Sequence, residues 1–149
     1  MKLESLIHSL LPRLLEALRR ELGEYGEMLS LLENQREQVL SRNGMNVIQT
    51  VTAIQQQAEK IESARSAREA SQQQIATTLT KPRGASMALI LPLLPENQRF
   101  ALAALVRENN DLMTRVQQRM RQNHLLLSRS LDLMQRFMNT LLPSPIPAT

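Results

Sequence analysis

The chain has no cysteine and no tryptophan, and only one tyrosine, two phenylalanines and four glycines among its 149 residues. Without thiols there can be no disulfide and no thiolate metal site, and the composition fits a reducing compartment, so a cytoplasmic location is expected. So few aromatic residues and glycines leave little from which to build a sheet. No run of about eighteen apolar residues occurs, and no membrane insertion is expected. Met1-Lys2-Leu3-Glu4 opens with an acidic side chain, and His8 and Ser9 interrupt the apolar stretch behind it, so a signal peptide is not expected either. Charge of one sign is not scarce: 18 Lys and Arg stand against 14 Asp and Glu, a net of +4. The length suggests a single domain.

What is present is helical periodicity. From Leu3 to about Ser41, apolar residues recur at spacings of three and four, through Leu3, Leu6, Ile7, Leu10, Leu11, Leu14, Leu15, Leu18, Leu22, Tyr25, Leu29, Leu32, Val39 and Leu40. Pro12 falls inside this stripe and predicts a kink after a short first helix. Gly23 and Gly26 mark a soft point or a close helix contact. Asn43-Gly44 predicts the end of the segment, and Asn46 followed by Gln49 reads as the cap of a second helix from Val47 to about Leu79. The middle of that helix, Glu62 to Gln74, has no large apolar residue, so it packs through Ala64, Ala67 and Ala70 or projects. Lys81-Pro82-Arg83-Gly84 ends it. Ala85 to Leu94 predicts a short helix stopped at Pro92. Pro95 then opens a third long helix, to about Leu142, with Pro95 at its first position.

On this last helix Leu102, Val106, Asn109, Met113, Val116, Met120, Asn123, Leu127, Ser130, Met134, Phe137 and Leu141 alternate steps of four and three, a heptad seam along a helix roughly 70 Å long. Asn109, Asn123 and Ser130 within it would fix register at a cost in stability. The expected architecture is all-α: an elongated antiparallel bundle of three long helices plus a short connecting helix, forming one domain over residues 1–142. Residues 143–149, with three prolines, read as an extended tail.

Catalysis finds no candidates. His8 and His124 are far apart and lack the spacing of four that a helical two-histidine metal site needs. No phosphate-binding glycine loop, nucleophile motif or cofactor signature occurs, so the chain reads as a non-enzyme with no cofactor. Nucleic acid is not an expected partner either, despite a pI near 10.3. The charge is dispersed, with six basic and seven acidic residues in 1–45 and net +2 and +3 in 46–84 and 85–149. Aromatic residues for stacking on bases are nearly absent.

The apolar arc of the last helix carries more information. From Leu102 to Met120 it spans roughly 120°, what a packed helix ordinarily buries. From Leu125 to Leu142 it widens to about 180°, with Leu126 and Leu133 on one side, Leu131, Met138 and Leu142 on the other, and Leu125 on the far face. Embracing helices or self-association would cover this half, and so would a groove for an amphipathic partner helix. Of the methionines here, Met113 and Met120 lie on the seam, while Met134 and Met138 suit core and partner surface equally.

One family shares this arrangement. Leu14-Leu15-x-x-Leu18-x-x-Glu21, Tyr25-x-x-x-Leu29-x-x-Leu32, Gln35-Arg36 and Val39-Leu40, then Ala58-x-x-Ile61-x-x-Ala64-Arg65, precede Leu105, Glu108-Asn109-Asn110-Asp111-Leu112 and Asn123-x-x-Leu126-Leu127-x-x-Ser130-Leu131. With these the chain resembles the FlgN family of flagellar type III export chaperones. The resemblance implies a chaperone that binds the C-terminal segments of the hook-associated, hook–filament junction proteins FlgK and FlgL and keeps them competent for export, with export-apparatus components as further partners. It also implies client binding by the end of the last helix, here Leu125, Leu126, Leu131, Leu133, Met134, Phe137, Met138 and Leu141. The Pro-rich tail departs from the family pattern. The alternative reading is a structural adaptor, a helical bundle or coiled coil that assembles with copies of itself.

Overall fold

The computed structural model describes residues 2–41 and 44–141, and these contain no strand. Four helices follow in order: α1 (Lys2–Leu40), α2 (Gly44–Thr78), α3 (Met87–Ile90) and α4 (Glu96–Leu141), with a 3-10 turn at Leu91–Leu93 after α3. This is the expected all-α bundle of three long helices and a short connector. The tail at 143–149 and the turn residue Asn43 lie outside the described residues.

α1 is the central helix. It packs along both α2 and α4, which have almost no close backbone approach to each other. The reason is legible in one seam: Ile7, Leu11, Leu14, Leu18, Glu21, Tyr25, Met28, Leu32, Gln35 and Val39 are all buried, at alternating steps of four and three. Leu3, Leu6 and Leu40, on the same stripe in the sequence, are more than half exposed because they overrun the ends of the contact. The helix is continuous through Pro12 rather than split there. A proline inside a helix costs about 3 kcal/mol, and the burial of Leu11, Leu14 and Leu18 on either side of it offsets that cost.

The glycines of α1 are not needed for close approach. A β-carbon at Gly23 would meet nothing within 4 Å, and one at Gly26 would lie 3.9 Å from Leu112 Cδ2, an ordinary contact. Gly23→Ala should therefore stabilise the protein by about 1 kcal/mol through helix propensity alone, measured by urea unfolding.

α2 begins at Gly44, so Asn46 and Gln49 are interior helical residues and Asn46 is not a cap. The Asn46 carbonyl and the Gln38 side-chain oxygen share the Thr50 hydroxyl. The polar middle of α2 is docked. Thr50, Gln57, Ala64 and Ser71, seven residues apart, are all buried against α1. Of the three alanines expected there only Ala64 is enclosed, while Ala67 and Ala70 border an open groove beside Pro12. The chain then turns through Thr80 (φ 56°) and Gly84 (φ 83°), and Gln72 and Gln73 fasten the connector by bonds to Ala85 O and from Gly84 N, 2.7 and 2.9 Å. Ser86 caps α3, its hydroxyl oxygen accepting from Leu89 N at 3.3 Å. Pro95 stands just before α4 and its carbonyl accepts from Gln98 N and Arg99 N.

The core is in two parts with polar groups between them. Near the connector, Ile7 to Leu18 of α1 meet Ile75 and Ala76 of α2, Ala85, Met87, Ile90 and Leu94, and Leu102 of α4. Higher up, Tyr25, Met28 and Leu32 meet Val116, with Ile54, Ile61, Leu112 and Met113 packed around them. At the junction Glu21, only 2% exposed, receives Arg68 Nε at 2.8 Å and the Tyr25 hydroxyl at 2.9 Å. Arg65 reaches the same hydroxyl at 3.5 Å.

Tyr25 is the sole tyrosine. Burial raises its pKa above the ordinary 10.0, the Arg65 hydrogen bond opposes the rise, and the neighbouring Glu21 carboxylate adds to it. The fold thus holds the phenolic proton more tightly than the unfolded chain does. The corresponding stability is complete below pH 10 and is lost as pH climbs through the folded value. Ultraviolet titration of tyrosinate should give one midpoint, above 10.0 in the native protein and returning to about 10 in denaturant.

Candidate functional site

The register of α4 on α1 is set by two asparagines. Asn109 Nδ2 donates to Leu18 O at 3.1 Å and Asn123 Nδ2 donates to Leu32 O at 2.7 Å, both across a sequence separation of 91. A constant difference means that the two helices run parallel, as in an up-down-up chain. Both amides are buried, and each Oδ1 lacks a hydrogen-bond partner in the interior. That desolvation offsets part of each bond, so Asn109→Ala and Asn123→Ala should each cost about 1 kcal/mol. The sites are about 21 Å apart along the helix, and denaturant unfolding of the double variant should return the sum within about 0.5 kcal/mol.

Continued along the helices, the same offset brings Leu131 level with Leu40, the last residue of α1. The final ten residues of α4, up to Leu141, run past the end of α1 by about 15 Å. The core also thins before that point. Among the described residues of α4 beyond Val116 only Asn123 is buried, and Leu126 and Leu127 are half-covered. Two members of the expected seam are therefore not packed: Met120 is 45% exposed and Ser130 is exposed. Arg119, not Met120, faces α1, where its Nη2 meets Glu33 Oε1 at 3.0 Å.

Three leucines of the widened arc are open. Leu125 is 57% exposed, Leu131 65% and Leu133 61%. The side chains of Met134, Phe137, Met138 and Leu141 lie outside the described residues. Leu40, which the sequence pattern placed on the stripe of the first segment, is exposed at this same end of the bundle, as are Ile48 and Val51 of α2. Between α1 and α4 is a recess of about 370 Å³ lined by Arg36, Arg119, Gln122, Leu125, Leu126 and Arg129. Arg36 was not visible as a site residue in the sequence, since its part depends on the parallel register that brings it opposite 125–129. The other end of the bundle also exposes apolar side chains, chiefly Phe100 at 85%, with Leu3, Leu6, Leu89 and Leu93.

The two histidines are exposed. Among the described residues no three His, Cys, Asp or Glu converge on a point where a metal could sit, and no helix is long and apolar enough to cross a membrane. The chemistry the site offers is contact: uncovered leucines beside arginines on a helix that outruns its neighbour. An elongated all-α scaffold whose last helix outruns its neighbour and leaves Leu131 and Leu133 uncovered has the form of a protein that holds another chain. The family model described as FlgN protein matches residues 1–148, and the chain belongs to the FlgN family. The family is one of flagellar export chaperones, which bind flagellar substrate proteins, and it is not an enzyme family. No curated protein and no solved structure matches the chain.

Proposed function

We propose that this chain is a cytoplasmic export chaperone for hook–filament junction proteins of the FlgK and FlgL type. It binds their C-terminal amphipathic segments through the end of α4, at Leu125, Leu126, Leu131, Leu133, Met134, Phe137, Met138 and Leu141, and catalyses nothing. The observation that carries the reading is the exposure of Leu125, Leu131 and Leu133 on a helix that overruns α1. Burying one leucine is worth about 1.5–3 kcal/mol, so several left open on one helix favour a partner that covers them.

The physical logic is that of a helix-in-groove contact. A junction protein awaiting export must stay loosely folded, and its amphipathic end would otherwise pair with other subunits. Docking that end on α4 shields it. Ordering the client on binding lowers the net affinity, so release requires no chemistry from the chaperone. Binding of export-apparatus components belongs to the same reading.

The test is co-expression with a junction protein, whole or lacking its C-terminal segment. Co-purification with the whole client and not with the truncated one is expected. Equal capture of both would refute the assignment of the segment. A tight, concentration-dependent oligomer in light scattering, burying the 125–141 face without any client, would favour the self-assembling adaptor instead.

A further inference from the structure

We infer that the α1–α4 recess selects an acidic partner: an amphipathic helix whose apolar stripe is flanked by Asp or Glu. The inference rests on the chaperone reading and adds the chemistry of the segment that docks. Leu125 and Leu126 line the recess, and Arg36, Arg119 and Arg129 border it. Arg119 is already engaged with Glu33 and Gln122, at 3.0 and 3.1 Å. Arg36 and Arg129 have no ion-pair partner among the described residues. From 112 to 141, α4 has five arginines against one aspartate, and that Asp132 stands 3.2 Å from Arg136. Approaching apolar surface therefore meets Leu125 and Leu126 together with two arginines, Arg36 and Arg129, that are not neutralised among the described residues.

Two features narrow the occupant. Helices offer no unpaired backbone edge, so a partner strand has nothing to extend and docking has to go through side chains. The site is also a recess, to which α1 contributes Arg36 and α4 contributes Arg129 and the leucines. A ridge of side chains enters such a recess, whereas a flat anionic bilayer would meet the arginines and leave the leucines unburied. Complementary charge at the rim sets partner choice and encounter rate more than it sets raw affinity.

The experiment uses the full chain and a fluorescent helical peptide with leucines at i, i+4, i+7 and i+11 flanked by glutamates, beside a twin with lysines in their place. Anisotropy should show the glutamate peptide binding at least about tenfold more tightly than the lysine twin, and weakening as salt is raised. The variant R36E/R129E should reverse that preference. Both positions are exposed, and unchanged circular dichroism verifies the fold. Equal binding of the two peptides, or binding of neither, overturns the inference. So does binding of phosphatidylserine vesicles in place of the peptide, or a self-dimer that R36E/R129E dissolves while peptide binding is unchanged. The chaperone reading is tested separately: junction-protein capture that survives R36E/R129E but is lost with L125D/L131D retains the chaperone and overturns only the acidic selectivity.

Discussion

Replacing Leu125 and Leu131 together by aspartate is expected to abolish client capture while the bundle stays folded. Each leucine covered by a partner contributes about 1.5–3 kcal/mol, and 1.4 kcal/mol is a factor of ten in affinity. The double change should therefore weaken binding by at least about a hundredfold, before counting the cost of bringing carboxylates against apolar surface. Both side chains are more than half exposed in the protomer, so the effect on unfolding should be only about 1 kcal/mol, mostly helix propensity. Circular dichroism and a binding isotherm on the same preparation separate the two. Retained binding would mean that the exposed leucines are incidental.

Arg68→Ala should be among the most damaging polar substitutions within the bundle. Glu21 is enclosed, and Arg68 supplies its cation through two contacts, Nε to Oε1 at 2.8 Å and Nη2 to Oε2 at 3.3 Å. Removing the guanidinium leaves a buried carboxylate with only the Tyr25 hydroxyl. Breaking a buried pair on one side costs about 3–5 kcal/mol, and the partial exposure of Arg68 argues for the lower figure. For a chain of this size a loss of about 3 kcal/mol lowers the melting temperature by roughly 6–12 °C. Adding Glu21→Gln should recover part of the loss, because a neutral amide does not need the cation. A double-mutant cycle by thermal unfolding measures it, and a coupling near zero would place Arg68 among ordinary surface arginines.

The pair also explains why one part of the fold was readable in the sequence and another was not. The α1 seam is almost wholly apolar, and alternating steps of three and four identify it without help. On α2 the same alternation exists through Thr50, Ile54, Gln57, Ile61, Ala64, Arg68, Ser71 and Ile75, but half its members are polar, so hydropathy does not reveal it. Gln57 is enclosed only because its amide reaches Glu24 O at 2.9 Å and the Glu24 carboxylate at 2.6 Å. Such a helix is held by specific partners, and a single sequence does not name partners. Asn109 and Asn123 were legible because an asparagine recurring two heptads apart in a seam has a register role that follows from spacing. Met120 was misplaced for a related reason: at that level α4 packs on α1 alone, and Arg119 reaches Glu33, which turns Met120 outward.

Of the candidate site, the breadth of the apolar arc was legible and its exposure was not. Periodicity says how much apolar surface a helix carries; whether neighbours cover it depends on where they end. Here α1 ends at Leu40, level with Leu131, and that termination uncovers the arc beyond it, whereas Leu125 is exposed alongside α1. The arginines of the recess belong to two helices, so only the parallel register of α1 and α4 brings them together.

Hydrogen–deuterium exchange with and without a co-purified hook–filament junction protein tests the central claim most directly. The amides of α4 from about residue 120 to 141, unsupported by α1 over their last turns, should exchange fastest among the helices in the free chain and gain the greatest protection in the complex. Protection confined to 2–35 and 50–75, with the end of α4 unchanged, would contradict it.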